Sequence, residues 1–344
     1  MAIDNSGNYC YYTNIKQVNK VKKGTEMKER YYAKGSYPTM ITPYKEDGTV
    51  DYEAAEKLVE WYWKEGCDGI FAVCQSSEIW YLNEEERVSL ANVVCKKAAE
   101  LAEADTSRPP MTIVASGHVS EKMEDQIREL NRIAESGADA VILITNRMDI
   151  DNTSDENWIR DAETILENLP ADVTLGLYEC PVPYKRLLTP KILEWCLSTG
   201  RFRFIKDTCC DADEIERRMQ ILRGTDLLLF NANAQTLYAS MKSGAAGFCG
   251  IMANFQPAVF SWLTHHMDDP RASVVGSFLS ISAFTESLAY PVSAKYNLSV
   301  NEGIPMTIKS RSCDPERLTD YQKMCVNQLH ELTNEVKRQL GIMV

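Results

Sequence analysis

The 344-residue chain carries 49 Asp and Glu against 37 Lys and Arg, a formal net charge of −12, and its longest basic stretch is Lys20 to Lys23. That balance argues against a nucleic-acid partner, whose phosphates demand a basic face, and no segment approaches the roughly 18 uninterrupted apolar residues of a membrane span. Eleven cysteines, an odd number without CxxC spacing, and an N-terminus lacking a basic-then-apolar leader lead us to expect reduced thiols in a cytoplasmic protein.

Residues 1–35 are polar, rich in Lys and Tyr, and without apolar periodicity, which predicts a poorly ordered or surface-draped extension. From residue 36 the pattern becomes regular. Apolar runs of strand length stand at Tyr37–Thr42, Gly69–Cys74, Thr112–Ala115, Ala140–Thr145, Val173–Tyr178, Arg201–Lys206, Leu227–Phe230 and Ala246–Ile251. Amphipathic stretches separate them, with helix starts at Asp51, Asn83, Ser120, Ser154, Thr189, Asp211, Gln235 and Gln256. Strand and helix thus alternate eight times over about 230 residues, the length of a parallel (β/α)8 TIM barrel. The barrel is expected over residues 36–270. A doubly wound open sheet would need a Gly-rich phosphate turn after its first strand, where Pro43-Tyr44-Lys45 stands instead. Residues 271–344 read as helices only, over Ala272–Tyr290, Val292–Asn301 and Pro315–Leu340. This C-terminal helical extension is expected to pack on the barrel and to offer an oligomer surface.

Function in such a barrel sits at the C-terminal ends of the strands. In the sixth run, FRFIKD, period-two alternation puts Phe202, Phe204 and Lys206 on one face. Turned inward, Lys206 is an amine against aromatic surface, where desolvation favours the neutral nucleophile that forms imines with carbonyl carbon. A lysine reaching solvent or paired with Asp207 is the competing reading. In the fifth run the same alternation points Tyr178 into the mouth beside Lys206, as a proton shuttle or as a core tyrosine. The second run ends in Gln75, Ser76 and Ser77, whose hydroxyl, amide and backbone donors suit a carboxylate or make an ordinary polar loop. Of four histidines only His118 lies near a strand end, too few for a metal-dependent aldolase. Cys74, Cys180 and Cys209 read as small buried hydrophobes.

Taken in order, ITPYKEDGTVDY (41–52), the Ser77-Glu78 loop with Leu82 and Glu86-Arg87, GADAVIL (137–143), YECP (178–181), IKDT (205–208) and GAAGFCGIMANFQP (244–257) resemble the dihydrodipicolinate synthase and N-acetylneuraminate lyase superfamily. These are class I, Schiff-base-forming aldolases, and the likeness spans about residues 36–340. The resemblance implies Lys206 as the imine-forming lysine, Tyr178 as the catalytic tyrosine, Ser76 and Ser77 in the loop that binds the 2-oxo acid carboxylate, with Gln75 replacing a family threonine, and Ile251 lining the pyruvyl site. It also implies a homodimer or homotetramer without cofactor or metal. Departures matter as much. Met148 stands where synthases carry a relay tyrosine, and Pro183 where they carry the arginine that grips a second substrate's carboxylate. The expected function is therefore a lyase that joins Lys206 to pyruvate or another 2-oxo acid and cleaves or forms a C–C bond in a 2-keto-3-deoxy sugar acid. Arg147 and Lys185 are candidate cations for its distal group, and Asn146 and Asp149 for its hydroxyls; Arg186 or Arg147 is a candidate stand-in for the missing arginine. The alternatives are 4-hydroxy-tetrahydrodipicolinate synthase, which condenses pyruvate with aspartate semialdehyde, and a non-catalytic 2-oxo acid-binding homologue.

Overall fold

A computed structural model describes residues 32–343, so the expected extension lies outside the described residues as far as residue 31. Tyr32 and Ala33 already bond to the barrel, through the Asp139 carbonyl at 2.6 Å and the Thr112 hydroxyl at 3.1 Å. Strands β1 (Gly35–Ser36), β2 (Gly69–Phe71), β3 (Thr112–Ala115), β4 (Ala140–Ile144), β5 (Leu175–Tyr178), β6 (Phe202–Asp207), β7 (Leu228–Asn231) and β8 (Gly247–Phe248) form one parallel sheet in the order β1-β8-β7-β6-β5-β4-β3-β2. A single bridge between Thr39 and Phe71 closes it, and the chain is a (β/α)8 barrel.

The first strand differs from its prediction, and Pro38 is the reason. Its missing N–H interrupts the ladder, so the chain pairs with β8 before it, through Tyr37 N–H to the Phe248 carbonyl (2.8 Å), and with β2 after it, through Met40 N–H to Phe71 (3.0 Å). At the β1–β8 seam the backbones meet closely, since a Cβ on Gly247 would fall 1.8 Å from the Gly35 carbonyl oxygen.

Around the sheet run α1 (Tyr52–Lys64), α2 (Glu84–Ala104), α3 (Met123–Ala134), α4 (Asp155–Glu167), α5 (Pro190–Thr199), α6 (Ala212–Leu222), α7 (Ala234–Lys242) and α8 (Pro257–His265). Side chains of Asp51, Asn83, Ser154, Thr189 and Asp211 cap their helices as predicted. Two starts move. Ser120 gives its hydroxyl to Glu129 at 2.9 Å and leaves α3 to begin at Met123, while Asn233 rather than Gln235 caps α7.

Beyond the barrel follow α9 (Ala272–Ser282), α10 (Val292–Tyr296) and α11 (Asp320–Leu340). The helix expected to reach Tyr290 tightens into a 3-10 turn at Ala283–Ser287 and stops short of Pro291, which disfavours helical backbone in the residue before it. Among the described residues no single helix is long and apolar enough to cross a membrane.

A buried ion pair fastens this C-terminal region to the barrel mouth. Glu78, in left-handed backbone after β2, accepts from Lys295 Nζ at 2.8 Å, Ser310 Oγ at 2.8 Å and the N–H groups of Arg311 and Ser312 at 2.6 and 2.8 Å. Both partners are buried. Stripping one member from such a pair leaves an uncompensated charge and costs about 3–5 kcal/mol. Glu78→Gln is therefore expected to lower Tm by many degrees; a wild-type melt would show that the pair is not what holds the region down.

Candidate active site

Inside the barrel, rings of Tyr37, Phe71, Phe204 and Phe230 form a layer, with Phe204 stacked on Phe230 at 4.5 Å and Phe71 edge-on to Tyr178 at 5.4 Å. Gly176 makes the room, for a Cβ there would fall 2.4 Å from Ile142 Cδ1. The next inward positions on β5 and β6 are Tyr178 and Lys206, which are register partners. Lys206 Nζ lies 4.1 Å from the centre of the Tyr178 ring and 5.9 Å from that of Phe71. Both side chains are buried.

Lys206 Nζ makes no hydrogen bond or ion pair among the described residues. Asp207 does not claim it, because alternation turns that carboxylate outward to Arg218 Nη1 at 2.5 Å. The same guanidinium nitrogen meets Glu179 at 2.9 Å, and Glu179 also accepts the N–H groups of Leu188 (2.7 Å) and Thr208 (2.8 Å). Burial pushes Glu179 above the usual carboxylate range while Arg218 draws it back. This cluster ties the ends of β5 and β6 to α6, so it sets the Tyr178–Lys206 geometry from behind. Its signal in the sequence is an acid immediately after each inward residue, Tyr178-Glu179 and Lys206-Asp207.

Burial holds the Tyr178 phenol well above its ordinary range, and its hydroxyl interacts with the Cys180 thiol. Cys180 Sγ in turn faces Gln75 Oε1 at 3.7 Å, and Trp80 Nε1 donates to the same oxygen at 2.7 Å. With its oxygen occupied, Gln75 keeps its amide NH2 without a partner among the described residues. Ser76 Oγ donates to Thr39 Oγ1 at 3.0 Å and neighbours the Tyr290 hydroxyl. Ser77 Oγ is engaged inside its loop, donating to the Met40 carbonyl at 2.6 Å and accepting from Cys74 N–H at 3.0 Å, so its hydroxyl has little left for a ligand. Ile251 opens a 3-10 turn, Ile251–Asn254, after β8.

The remaining candidates divide sharply. Arg147, 3% exposed, has no carboxylate partner among the described residues; it donates to Asn146 Oδ1 (3.1 Å) and the Val119 carbonyl (3.3 Å) and lies 5.3 Å from the Trp80 ring centre. Trp80, which the sequence reading did not single out, thus orients both Gln75 and Arg147. Asn146 donates to the carbonyls of Cys180, Val182 and Tyr184, and Asp149 binds Thr153, Ser154 and Arg186, so the hydroxyl-binding role expected of these two is already filled by the protein itself. Arg186 is held by Asp149 at 3.0 Å and Asp155 at 3.2 Å and does not serve as a stand-in arginine. Lys185 donates to the Thr208 carbonyl at 2.6 Å, and Met148 is core. His118 is a buried neutral imidazole, its Nε2 accepting from Ile144 N–H at 2.6 Å and burial pulling its pKa down to about 3. Cys74 and Cys180 are buried, whereas Cys209 is half-exposed. No cluster of three or more metal-ligating side chains occurs among the described residues.

Two residues at the mouth come from the C-terminal region, where only scaffolding was expected. Tyr290 accepts from Asn254 Nδ2 at 3.4 Å, and Glu286 is a carboxyl that burial pushes up to about 7. Neither carries a local pattern that marks it.

Comparison with known proteins agrees with this architecture. Residues 32–273 match the model of the dihydrodipicolinate synthetase family. Over 229 residues the chain is 27% identical to a 4-hydroxy-tetrahydrodipicolinate synthase of Clostridium perfringens, covering 65% of this chain and 72% of that one. A sialic acid aldolase from Ruminococcus gnavus superposes with a TM-score of 0.75 at 17% identity, over 89% of this chain and 98% of the other. A dihydrodipicolinate synthase from Acinetobacter baumannii, complexed with pyruvate, gives 0.74 at 22% identity, over 88% and 99%. At such identities the two structures speak for the fold.

Proposed function

The chain belongs to the dihydrodipicolinate synthetase family and is a lyase of its aldolase type, and on that premise we propose that Lys206 forms an imine with pyruvate or another 2-oxo acid. The observation that carries this reading is the unpartnered Lys206 amine seated 4.1 Å from the Tyr178 ring at the barrel mouth. An amine with no acceptor holding it is free to attack a carbonyl carbon. The protonated imine then withdraws electrons from the bond β to it, so that a C–C bond breaks or forms. Tyr178 supplies and recovers the proton of the carbinolamine. Ser76 and the Gln75 amide, with the backbone beside Ile251, hold the 2-oxo acid; Ser77 supports the loop. No cofactor enters these steps.

For the second half of the substrate we propose a 2-keto-3-deoxy sugar acid. Pro183 offers no donor where a carboxylate-gripping arginine would stand, and Met148 carries no relay proton, while the Gln75 amide and Arg147 offer donors for a hydroxyl-rich or anionic tail. Two observations favour the second reading, the synthase: Arg147 is a buried guanidinium without an acid among the described residues, suited to a bidentate grip on a carboxylate, and the Clostridium perfringens relative named above is a synthase. Assaying one preparation both ways tests this. Pyruvate release from a panel of 2-keto-3-deoxy sugar acids is expected, with negligible condensation of pyruvate and aspartate semialdehyde; efficient condensation would restore the synthase. We also propose a homodimer or homotetramer, supported by the outward apolar residues Val274, Ile281 and Phe284.

A further inference from the structure

Of the Arg and Lys side chains buried among the described residues, Arg87, Arg186, Arg218, Lys295 and Lys337 each lie within 3.0 Å of a carboxylate. The exceptions are Lys206 and Arg147. Arg147 stands at the same end of the barrel as Lys206, in the short turn Thr145–Arg147 after β4, and two separate paths of contact tie it to the centre. One runs from Cys180 Sγ to Gln75 Oε1 at 3.7 Å, on to Trp80 Nε1 at 2.7 Å, and from the Trp80 ring centre to the guanidinium carbon at 5.3 Å. The other runs from the Cys180 carbonyl to Asn146 Nδ2 at 2.9 Å and from Asn146 Oδ1 to Arg147 Nε at 3.1 Å. Both start at Cys180, whose N–H donates to the Tyr178 carbonyl at 2.8 Å, and the Tyr178 ring lies 4.1 Å from Lys206 Nζ. Asn146, the Val119 carbonyl and the Trp80 face fix the plane of the guanidinium. Its Nη2 has no acceptor among the described residues and is not sealed from solvent. Glu121 acts on it through space but is exposed and forms no ion pair with it. A buried charge without a partner is costly, so a fork held in place with nothing in its grip is built for an anion that the chain does not itself supply.

We propose that Arg147 is a specificity-determining residue whose fork takes a second carboxylate, borne by the substrate at the end away from its 2-oxo acid group. The assignment rests on the imine reading above and narrows the sugar acid named there to a diacid. Nη2 keeps both of its N–H groups and Nη1 keeps one, which is enough for the paired N–H···O bonds of a guanidinium on a carboxylate. A phosphate fits this place less well. It brings a second negative charge, and the other cations of this rim are engaged, Lys185 by the Thr208 carbonyl and Arg186 by Asp149 and Asp155. Burial weakens the hold of Arg147 on its proton, and an arriving carboxylate restores the missing counter-charge. Trp80 serves both ends of such a substrate. Its ring backs the guanidinium, and its Nε1 occupies the Gln75 oxygen, which leaves the Gln75 amide NH2 for the 2-oxo acid.

Borohydride trapping on Lys206 tests this without knowledge of the aldehyde. The probes are 2-oxoglutarate, 2-oxoadipate and 2-oxopimelate, each set against the 2-oxo acid of equal length that ends in a methyl group, and the readout is the concentration that gives half-maximal adduct. At the length that spans the site, the wild type is expected to favour the diacid about 10- to 100-fold, the worth of a charge-assisted hydrogen bond. Arg147→Gln is expected to erase that ratio, and Arg147→Lys, which keeps the charge but not the fork, to retain part of it. Adducts without preference for the diacid at any length would overturn the Arg147 assignment and leave the imine reading standing. A preference that survives unchanged in Arg147→Gln would also overturn it, since another group would then hold the second carboxylate. If Arg147→Gln traps none of the acids, Arg147→Lys decides, a reduced ratio supporting the assignment and an unchanged one overturning it. No adduct with any 2-oxo acid in the wild type would remove the imine reading and this assignment with it.

Discussion

Pyruvate followed by borohydride is expected to add a single reduced adduct, on the peptide that holds Lys206, and Lys206→Ala is expected to abolish both the adduct and turnover. The result is informative because, among the described residues, both Lys206 and Lys295 are buried near the barrel mouth, and a simple desolvation argument favours Lys295. Burial pulls Lys295 down to about 8, and its Nζ lies 4.4 Å from the Tyr44 ring centre much as Lys206 lies by Tyr178. Lys295, however, donates to Glu78 at 2.8 Å and to the Lys309 carbonyl at 2.6 Å and is wholly enclosed. An ammonium so held has no lone pair to offer and no path by which a keto acid could reach it. Lys206 has the aromatic neighbour without the acceptors. Mapping by mass spectrometry separates the two directly, and an adduct on Lys295, or on none with any 2-oxo acid, would sink the mechanism. Lys206→Ala should melt near the wild type, since the side chain makes no polar bond that its loss would orphan.

Lys206 and Tyr178 were legible because strand periodicity is a local property: two residues on adjacent strands, each an even number of positions from an inward aromatic or glycine, must share the mouth once the barrel closes. The alternation that gave the barrel is local too. What escaped depends on neighbours distant in the chain. Asn146, Asp149 and Ser77 read as free donors and acceptors, yet carbonyls and N–H groups from the segment after β1, the loop after β5 and the start of α4 had already taken them, as buried polar groups generally are. Arg147 and Arg186 looked equivalent in sequence, and only the placement of Asp149 and Asp155 decides that one is paired and the other is not. Glu286 stands 80 positions beyond Lys206 on a polar turn, where nothing in its own surroundings distinguishes it from a solvated acid. The shift of β1 was visible in principle, because Pro38 is the second residue of the predicted run Tyr37–Thr42.

Tyr178→Phe is expected to slow turnover about 10²- to 10⁴-fold, the contribution of a positioned proton donor, and the structure shows why this variant isolates the hydroxyl. Phenylalanine keeps the ring, and with it the edge contact to Phe71 at 5.4 Å and the face presented to Lys206. Packing and the electrostatics of the amine are thus retained, so circular dichroism and Tm should stay near wild type. In the mechanism proposed above, the phenol, its titration held far above neutrality by burial, acts first as an acid. It gives its proton to the carbinolamine hydroxyl, which leaves as water while the nitrogen lone pair forms the imine. Cys180 lies next to the phenol and faces Gln75 Oε1 at 3.7 Å, a thiol that burial keeps protonated and through which the proton can be returned. The loss should therefore appear in the rate of imine formation, read as the time course of trapped adduct, while the final extent of trapping on Lys206 is unchanged. A variant that traps pyruvate as fast as the wild type would make Tyr178 a packing residue, and the proton of the carbinolamine would then have to come from solvent.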